Sequence, residues 1–208
     1  MKSALIVDDH PVVRAAVKIV LRQEGFHRIY EASCGNEVML MIREHQPELL
    51  VLDLSLPTLD GLEVLARIHD SGARCRVVVF TSQEAMHYQD RCIRAGASAY
   101  VPKSNDLQDL HKAIHAVMAG YTLFAQLVSN SVALSVLQRS EGQRISQLSD
   151  RELTILRYLA NGISNKEIAA TLHLSHKTVS TYKTRLIEKL DVKSSVYLRD
   201  FALRNRLI

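Results

Sequence analysis

The chain has no tryptophan, only four prolines and eight glycines, and three cysteines in 208 residues; aromatic side chains make up 5%. The scarcity of glycine and proline excludes collagen-like and low-complexity chains. A hydrophobic share of 47% beside 23% charged residues is that of a globular protein. Apolar runs as long as the roughly 18 residues of a membrane span are also missing, so no membrane partner is expected. The opening MKSALIVDDHP meets two acids too early for the apolar core of a secretion signal, which points to the cytoplasm. Cys34, Cys75 and Cys92 are odd in number, widely spaced and form no CxxC, so they read as reduced core or surface residues.

Charge is present but unevenly placed. Residues 1–120 hold 13 Lys+Arg against 15 Asp+Glu, and residues 121–208 hold 13 against 7. An acidic first half followed by a small basic module suggests a nucleic-acid-binding tail on a regulatory or enzymatic head.

The first 120 residues alternate strand-like and helix-like segments. Ser3–Val7, Leu49–Leu52 and Val77–Phe80 are short apolar runs without polar alternation, as in strands buried on both faces of a parallel sheet. Arg28–Ala32 and Ala99–Val101 are shorter candidates. Helical spacing is expected over Pro11–Glu24, about 35–45, 61–71, 84–95 and 105–119. Five β and five α segments in alternation predict a doubly wound parallel α/β domain. In the last of these helices, Leu107, Leu110, Ile114 and Val117 are read as core-facing, with a dimer surface as the alternative. Residues 121–147 read as a linker, within which Ala125–Leu137 is a candidate helix and Gln138–Gln147 is polar. From residue 148 the character is all helical, with four helices near 150–161, 164–172, 176–190 and 194–204. Ser149-Asp-Arg-Glu152 and Ser164-Asn-Lys-Glu167 are capping-box patterns.

Ligands of doubly wound sheets sit beyond the carboxyl ends of the strands. Asp8 and Asp9, Asp53, Thr81 and Lys103 all fall there. Converging carboxylates call for a cation, and oxygen ligands suit Mg²⁺. A lysine and a hydroxyl beside them suit a phosphoryl group, and a carboxylate nucleophile can form an aspartyl phosphate. His10 is read as capping or packing at the start of the first helix rather than as a metal ligand.

These five residues, with the string Asp53-Leu-Ser-Leu-Pro57-Thr-Leu-Asp-Gly61, resemble the signature of response-regulator receiver domains over residues 3–120. The resemblance implies that Asp53 is the phosphoacceptor. It implies that Asp8, Asp9, Asp53 and the backbone carbonyl of Ser55 hold Mg²⁺, with Asp9 the favoured direct ligand of the acidic pair. Lys103 would neutralise phosphoryl oxygens, Thr81 would hydrogen-bond the phosphoryl group and shift inward, and Tyr100 matches the family's rotating aromatic. Ser55 and Gln83 stand where the family tunes dephosphorylation. One departure is Ser104, where the family often has proline after a cis bond.

The basic module has the short helix–turn–helix link Leu172-His-Leu-Ser175. On the helix after it, Val179, Tyr182, Leu186 and Leu190 share a face expected to be buried, while Lys177, Ser180, Thr181, Thr184 and Glu188 lie opposite. Arg185 flanks the exposed face and Lys183 lies near the apolar edge. This is the layout of a helix that reads a DNA groove. The strings Leu148–Glu152, Gly162–Ala169 and Thr178–Leu186 resemble the LuxR-type DNA-binding domain. With the receiver they identify a member of the NarL/FixJ family, most similar in motif to its BvgA/EvgA branch.

The family resemblance implies base-edge contacts by Ser180, Thr181 and Thr184, and phosphate contacts by Lys177, Thr178, Lys183 and Arg185. It implies a transcriptional regulator, not an enzyme, with double-stranded DNA, a hybrid or simple histidine kinase or phosphotransfer protein, and a second copy on DNA as partners. RNA polymerase is a further candidate. The alternative is a phosphorylation-independent DNA-binding regulator whose receiver senses a partner or ligand. A haloacid-dehalogenase-like phosphatase is disfavoured, because Ser55 stands where that class usually has a second acid.

Overall fold

The apolar runs of the first half pair into one parallel sheet. The computed structural model describes residues 2–125 and 136–208, without the side chains of 136–140. They form two compact units, within Met1–Gln126 and within Leu127–Ile208.

In the first unit, β1 (Ser3–Val7), β2 (Arg28–Ala32), β3 (Leu49–Leu52), β4 (Arg76–Thr81) and β5 (Ala99–Pro102) run parallel in the order β2-β1-β3-β4-β5. They alternate with α1 (Pro11–Gln23), α2 (Gly35–His45), α3 (Gly61–Asp70), α4 (Ala85–Arg94) and α5 (Leu107–Met118). The doubly wound α/β reading is therefore correct. Strands β1, β3 and β4 are buried along nearly their whole length, as their unbroken apolar runs require. Ala4, Ile6, Leu49, Val51, Val78 and Phe80 pack with Val17, Val20 and Leu21 of α1 and Leu110, Ile114 and Val117 of α5. The α5 stripe thus faces the core, except Leu107, which is 40% exposed.

Strand order reverses between β1 and β3, so the ends of these two strands flank the crevice where such sheets bind ligands. Glycine lets the next layer approach that crevice. A Cβ at Gly61 would overlap the carbonyl oxygen of Asp53, and one at Gly35 would overlap that of Leu59. Asp60 caps α3 by accepting a hydrogen bond from the Leu62 N–H at 2.9 Å.

The second unit holds α6 (Val136–Ser146), α7 (Asp150–Ala160), α8 (Asn165–Thr171), α9 (His176–Leu190) and α10 (Val196–Arg204). Both capping boxes form, at Ser149–Glu152 and Ser164–Glu167. The stretch 138–147, read as linker, is instead helical as far as Ser146. Its polar sequence and mid-helix Gly142 give little local signal. Tertiary contacts override that: Ile145 and Leu148 are buried. Arg144 donates to the Leu190 carbonyl and the Asp191 carboxylate, both at 3.0 Å. Glu141 accepts from Arg204 and Asn205. The candidate helix Ala125–Leu137 falls, apart from its ends, outside the described residues.

Replacing Gly61 with alanine forces α3 away from the Asp53 backbone. The expected loss is about 1–3 kcal/mol, the usual range for overpacking, read as a lower denaturant midpoint of the isolated transition of the first unit.

Candidate functional site

Four of the five strands of the sheet, β1, β3, β4 and β5, end in a residue that the chain directs at the crevice. Asp8 follows β1, Asp53 follows β3, Thr81 ends β4 and Lys103 follows β5. Asp8 and Asp53 are each 2% exposed and Thr81 is fully buried. The Lys103 Nζ lies 2.7 Å from Asp8 Oδ2 and 2.7 Å from Asp53 Oδ2, bridging the two carboxylates. The other oxygens take backbone donors: His10 N–H reaches Asp8 Oδ1 at 2.9 Å, and Ser55 N–H reaches Asp53 Oδ1 at 3.1 Å. Burial alone would pull the Lys103 ammonium downward in pKa, but the Asp53 and Asp8 carboxylates outweigh it and hold it above the ordinary lysine value.

Asp9 completes a group in which ligand atoms of Asp8, Asp9, His10 and Asp53 all lie within 4.8 Å of one another. Asp9 Oδ1 is buried and takes no hydrogen bond, although His10 Nδ1 approaches it at 2.6 Å. Three carboxylates face one lysine here. A buried carboxylate oxygen met only by an exposed imidazole among the described residues, beside that excess of negative charge, fits a hard divalent cation such as Mg²⁺.

His10 neither packs nor caps with its side chain, contrary to the expectation from sequence. It occupies the N-cap position of α1, yet its ring is largely exposed and turned to Asp9 and Asp8. Two carboxylates draw the imidazole more strongly than the helix end does.

Beside this cluster, Gln83 joins two residues the sequence reading kept apart. Its side-chain amide donates to Ser55 Oγ at 2.8 Å, and its backbone carbonyl accepts from the Tyr100 hydroxyl at 2.8 Å. Tyr100 is 4% exposed, and burial first, then neighbouring negative groups, push its phenol well above the ordinary tyrosine value. Every described peptide bond is trans, Lys103–Ser104 included. Sequence reasoning missed Arg14, whose guanidinium donates to the Asp8 carbonyl at 2.8 Å and also pairs with Glu31. Nothing in the linear pattern distinguishes it from other helix-surface arginines.

In the second unit, Ser175 caps α9 through the Thr178 N–H, and its hydroxyl meets the Thr178 hydroxyl at 2.8 Å. Val179, Leu186 and Leu190 are buried, while Lys177, Ser180, Thr181, Thr184 and Arg185 are exposed and Thr178 and Lys183 partly so. Tyr182, expected on the buried face, is only half-buried. It lies at the margin of the apolar arc, where an amphipathic ring keeps contact with water. With Lys177, Thr178, Thr181 and Arg185 it lines an open groove of about 300 Å³.

Two tethers not legible in the sequence fix this helix. Lys189 donates to the buried Glu152 at 2.8 Å, so the acid of the α7 capping box also holds α9. Arg144 closes the other end, as described above.

A model described as the response regulator receiver domain matches residues 4–115, more than half of the chain. One described as bacterial regulatory proteins, luxR family, matches residues 146–202. The positive transcription regulator BvgA of Bordetella pertussis is 46% identical over 203 residues, covering 98% of this chain and 97% of that protein. This chain is a response regulator of the NarL/FixJ family. A structure of the Salmonella typhimurium response regulator RcsB covers 99% of both chains at 25% identity with a TM-score of 0.77. Another, of two RcsB dimers bound to two parallel DNAs, covers 98% of both chains at 25% identity with a TM-score of 0.57. Like BvgA, this response regulator is a transcription regulator with a LuxR-type DNA-binding domain, and no helix among its described residues is long and apolar enough to cross a membrane.

Burial would raise the Glu152 carboxyl, but Lys189 and the Ser149 groups outweigh it and leave it below the ordinary glutamate value. A depressed carboxyl stabilises the folded state above the ordinary value, and that stabilisation disappears as pH falls through the folded one. Glu152→Gln is therefore expected to destabilise the second unit at neutral pH, and the gap to the parent should close in acid. Urea titrations across that range check this.

Proposed function

We propose that this response regulator is switched by phosphorylation of Asp53 and that the switch sets its binding to double-stranded DNA. The observation that carries the reading is Lys103 bridging Asp8 and Asp53 at the topological switch point, with Thr81 buried at the end of the neighbouring strand. A histidine kinase or phosphotransfer protein serves as donor. An Asp53 carboxylate oxygen attacks the phosphorus of a phosphohistidine, the acyl phosphate forms, and the imidazole leaves. Asp8, Asp9, Asp53 and the Ser55 carbonyl would hold Mg²⁺, whose charge would offset that of the incoming phosphoryl oxygens. Lys103 moves from its carboxylates to those oxygens. Thr81 supplies a hydroxyl to the phosphoryl group, and Tyr100 follows through Gln83. The buried Asp9 Oδ1, met only by the His10 imidazole among the described residues, supports Asp9 as the direct ligand of the acidic pair.

On the DNA side, Lys177, Lys183 and Arg185 neutralise phosphates, and Thr178 hydrogen-bonds one. Ser180, Thr181 and Thr184 face base edges. The Thr181 and Thr184 hydroxyls already donate to the Lys177 and Ser180 carbonyls, at 3.0 and 3.3 Å. Toward DNA they offer acceptor lone pairs and methyl groups, which match amino groups of adenine or cytosine and the thymine methyl. The working form on DNA is a homodimer, a reading supported by the RcsB dimers on DNA. The protein acts in the cytoplasm, with RNA polymerase as its downstream contact.

Intact mass after incubation with Mg²⁺ and a small phosphodonor should show one added phosphoryl group, lost in Asp53→Asn and without Mg²⁺. A folded parent that gains nothing from either a small donor or a phosphorylated histidine domain refutes the switch. For the interface, Lys177→Ala should weaken binding to all DNA sequences alike and reduce the slope of log affinity against log salt by about 1. Thr181→Ala should alter sequence preference and leave that slope unchanged.

A further inference from the structure

The chain leaving α5 does not simply depart from the receiver. Residues 122–125 lie along the open edge of β5. Leu123 N–H donates to the Ser98 carbonyl at 3.0 Å, and the Leu123 carbonyl accepts from the Tyr100 N–H at 3.1 Å, making one parallel bridge at Ala99. Two residues on, the Gln89 side chain of α4 holds Ala125 by both backbone groups. Its Nε2 donates to the Ala125 carbonyl at 2.8 Å, and its Oε1 accepts the Ala125 N–H at 3.1 Å. Gln89 is 3% exposed, whereas Leu123 is 39% exposed. Four hydrogen bonds hold this stretch, and its apolar side chains are only partly covered, Leu123 at 39% exposed and Phe124 half-buried, so it opens more readily than the fully buried strands of the sheet.

We propose that residues 122–125 are a detachable edge strand through which the phosphorylation state of the receiver is passed to the chain beyond it. The inference rests on Asp53 being the phosphoacceptor. Both ends of the strand are attached to parts that meet the acidic site. The Tyr100 backbone binds Leu123 while its hydroxyl binds Gln83, and Gln83 in turn binds Ser55 in the loop after Asp53. Gln89 stands on the helix that begins two residues after Gln83. A bidentate amide contact tolerates little displacement, because hydrogen bonds fade beyond about 3.2–3.5 Å. A shift of α4 by about 1 Å would break both Gln89 bonds. The docked strand therefore belongs to the state with Tyr100 buried and Gln83 on Ser55. A phosphoryl group that draws Thr81 and the loop after Asp53 inward favours that state and holds the strand down.

The experiment is amide exchange by NMR on the full chain, for the parent, Gln89→Ala and Leu123→Pro, with and without Mg²⁺ and beryllofluoride. Gln89→Ala should speed exchange at Leu123 and Ala125 about tenfold, as expected for the loss of two hydrogen bonds, with β1 and β3 amides unchanged. Leu123→Pro, at an exposed position, should free Tyr100 N–H and Ala125 in the same way. In the parent, beryllofluoride should slow exchange at Leu123 and Ala125, and Gln89→Ala should lessen its effect on DNA affinity without lowering phosphoryl incorporation at Asp53. Unchanged exchange at Leu123 and Ala125 in Gln89→Ala, and at Tyr100 and Ala125 in Leu123→Pro, overturns the strand. Exchange indifferent to beryllofluoride, while Lys103 resonances shift, overturns its coupling to the site. Lys103 resonances that do not shift overturn instead the phosphoacceptor reading, and the variants without beryllofluoride still decide whether the strand exists.

Discussion

Two carboxylates buried side by side cannot both remain charged in a poorly solvated crevice without a cation between them. In this protein Lys103 supplies it, touching Asp8 and Asp53 at equal distance. Much of the first unit can be read as the scaffold of that contact. The parallel sheet brings the ends of β1, β3, β4 and β5 to one edge, and its change of winding direction opens the space between β1 and β3. Arg14 and the backbone N–H groups of His10 and Ser55 take the remaining polar demand. The arrangement is balanced but replaceable: any group that brings its own charge to the carboxylates competes with the lysine.

The second unit follows a different constraint. A helix that presents polar side chains to a groove must be held by its back and its ends. Val179, Leu186 and Leu190 provide the back, Ser175 holds the first turn, and Arg144 holds the Leu190 carbonyl at the last. Lys189 on Glu152 adds a side tether. Among the described residues, the exposed face carries no intramolecular ion pair that DNA would have to displace.

Most of the architecture was legible because it depends on local pattern. Uninterrupted apolar runs specify doubly buried strands, and Ser-x-x-Glu specifies the starts of α7 and α8. The strand-end acids, the lysine and the threonine could be placed from sequence because strand ends are easy to locate. What escaped depends on contacts between distant residues. The α6 helix is stabilised by Leu190, Asp191, Arg204 and Asn205, none of them visible from a polar stretch with a central glycine. The orientation of His10 follows from two carboxylates rather than from helix rules. Tyr182 sits at the margin of an arc, where helical spacing cannot tell inside from outside. The grip of Gln89 on Ala125 joins residues 36 apart.

The two glycines beside the crevice carry a consequence for mutational robustness. At Gly35 and Gly61 the neighbouring carbonyl oxygens already occupy the space of a first side-chain carbon. Every other amino acid adds that carbon, so neither position has a harmless neighbour among the other nineteen residues. These two can change only together with a shift of the backbone facing them, which makes the loop from Asp53 to Asp60 and the two helix starts against it a single heritable unit.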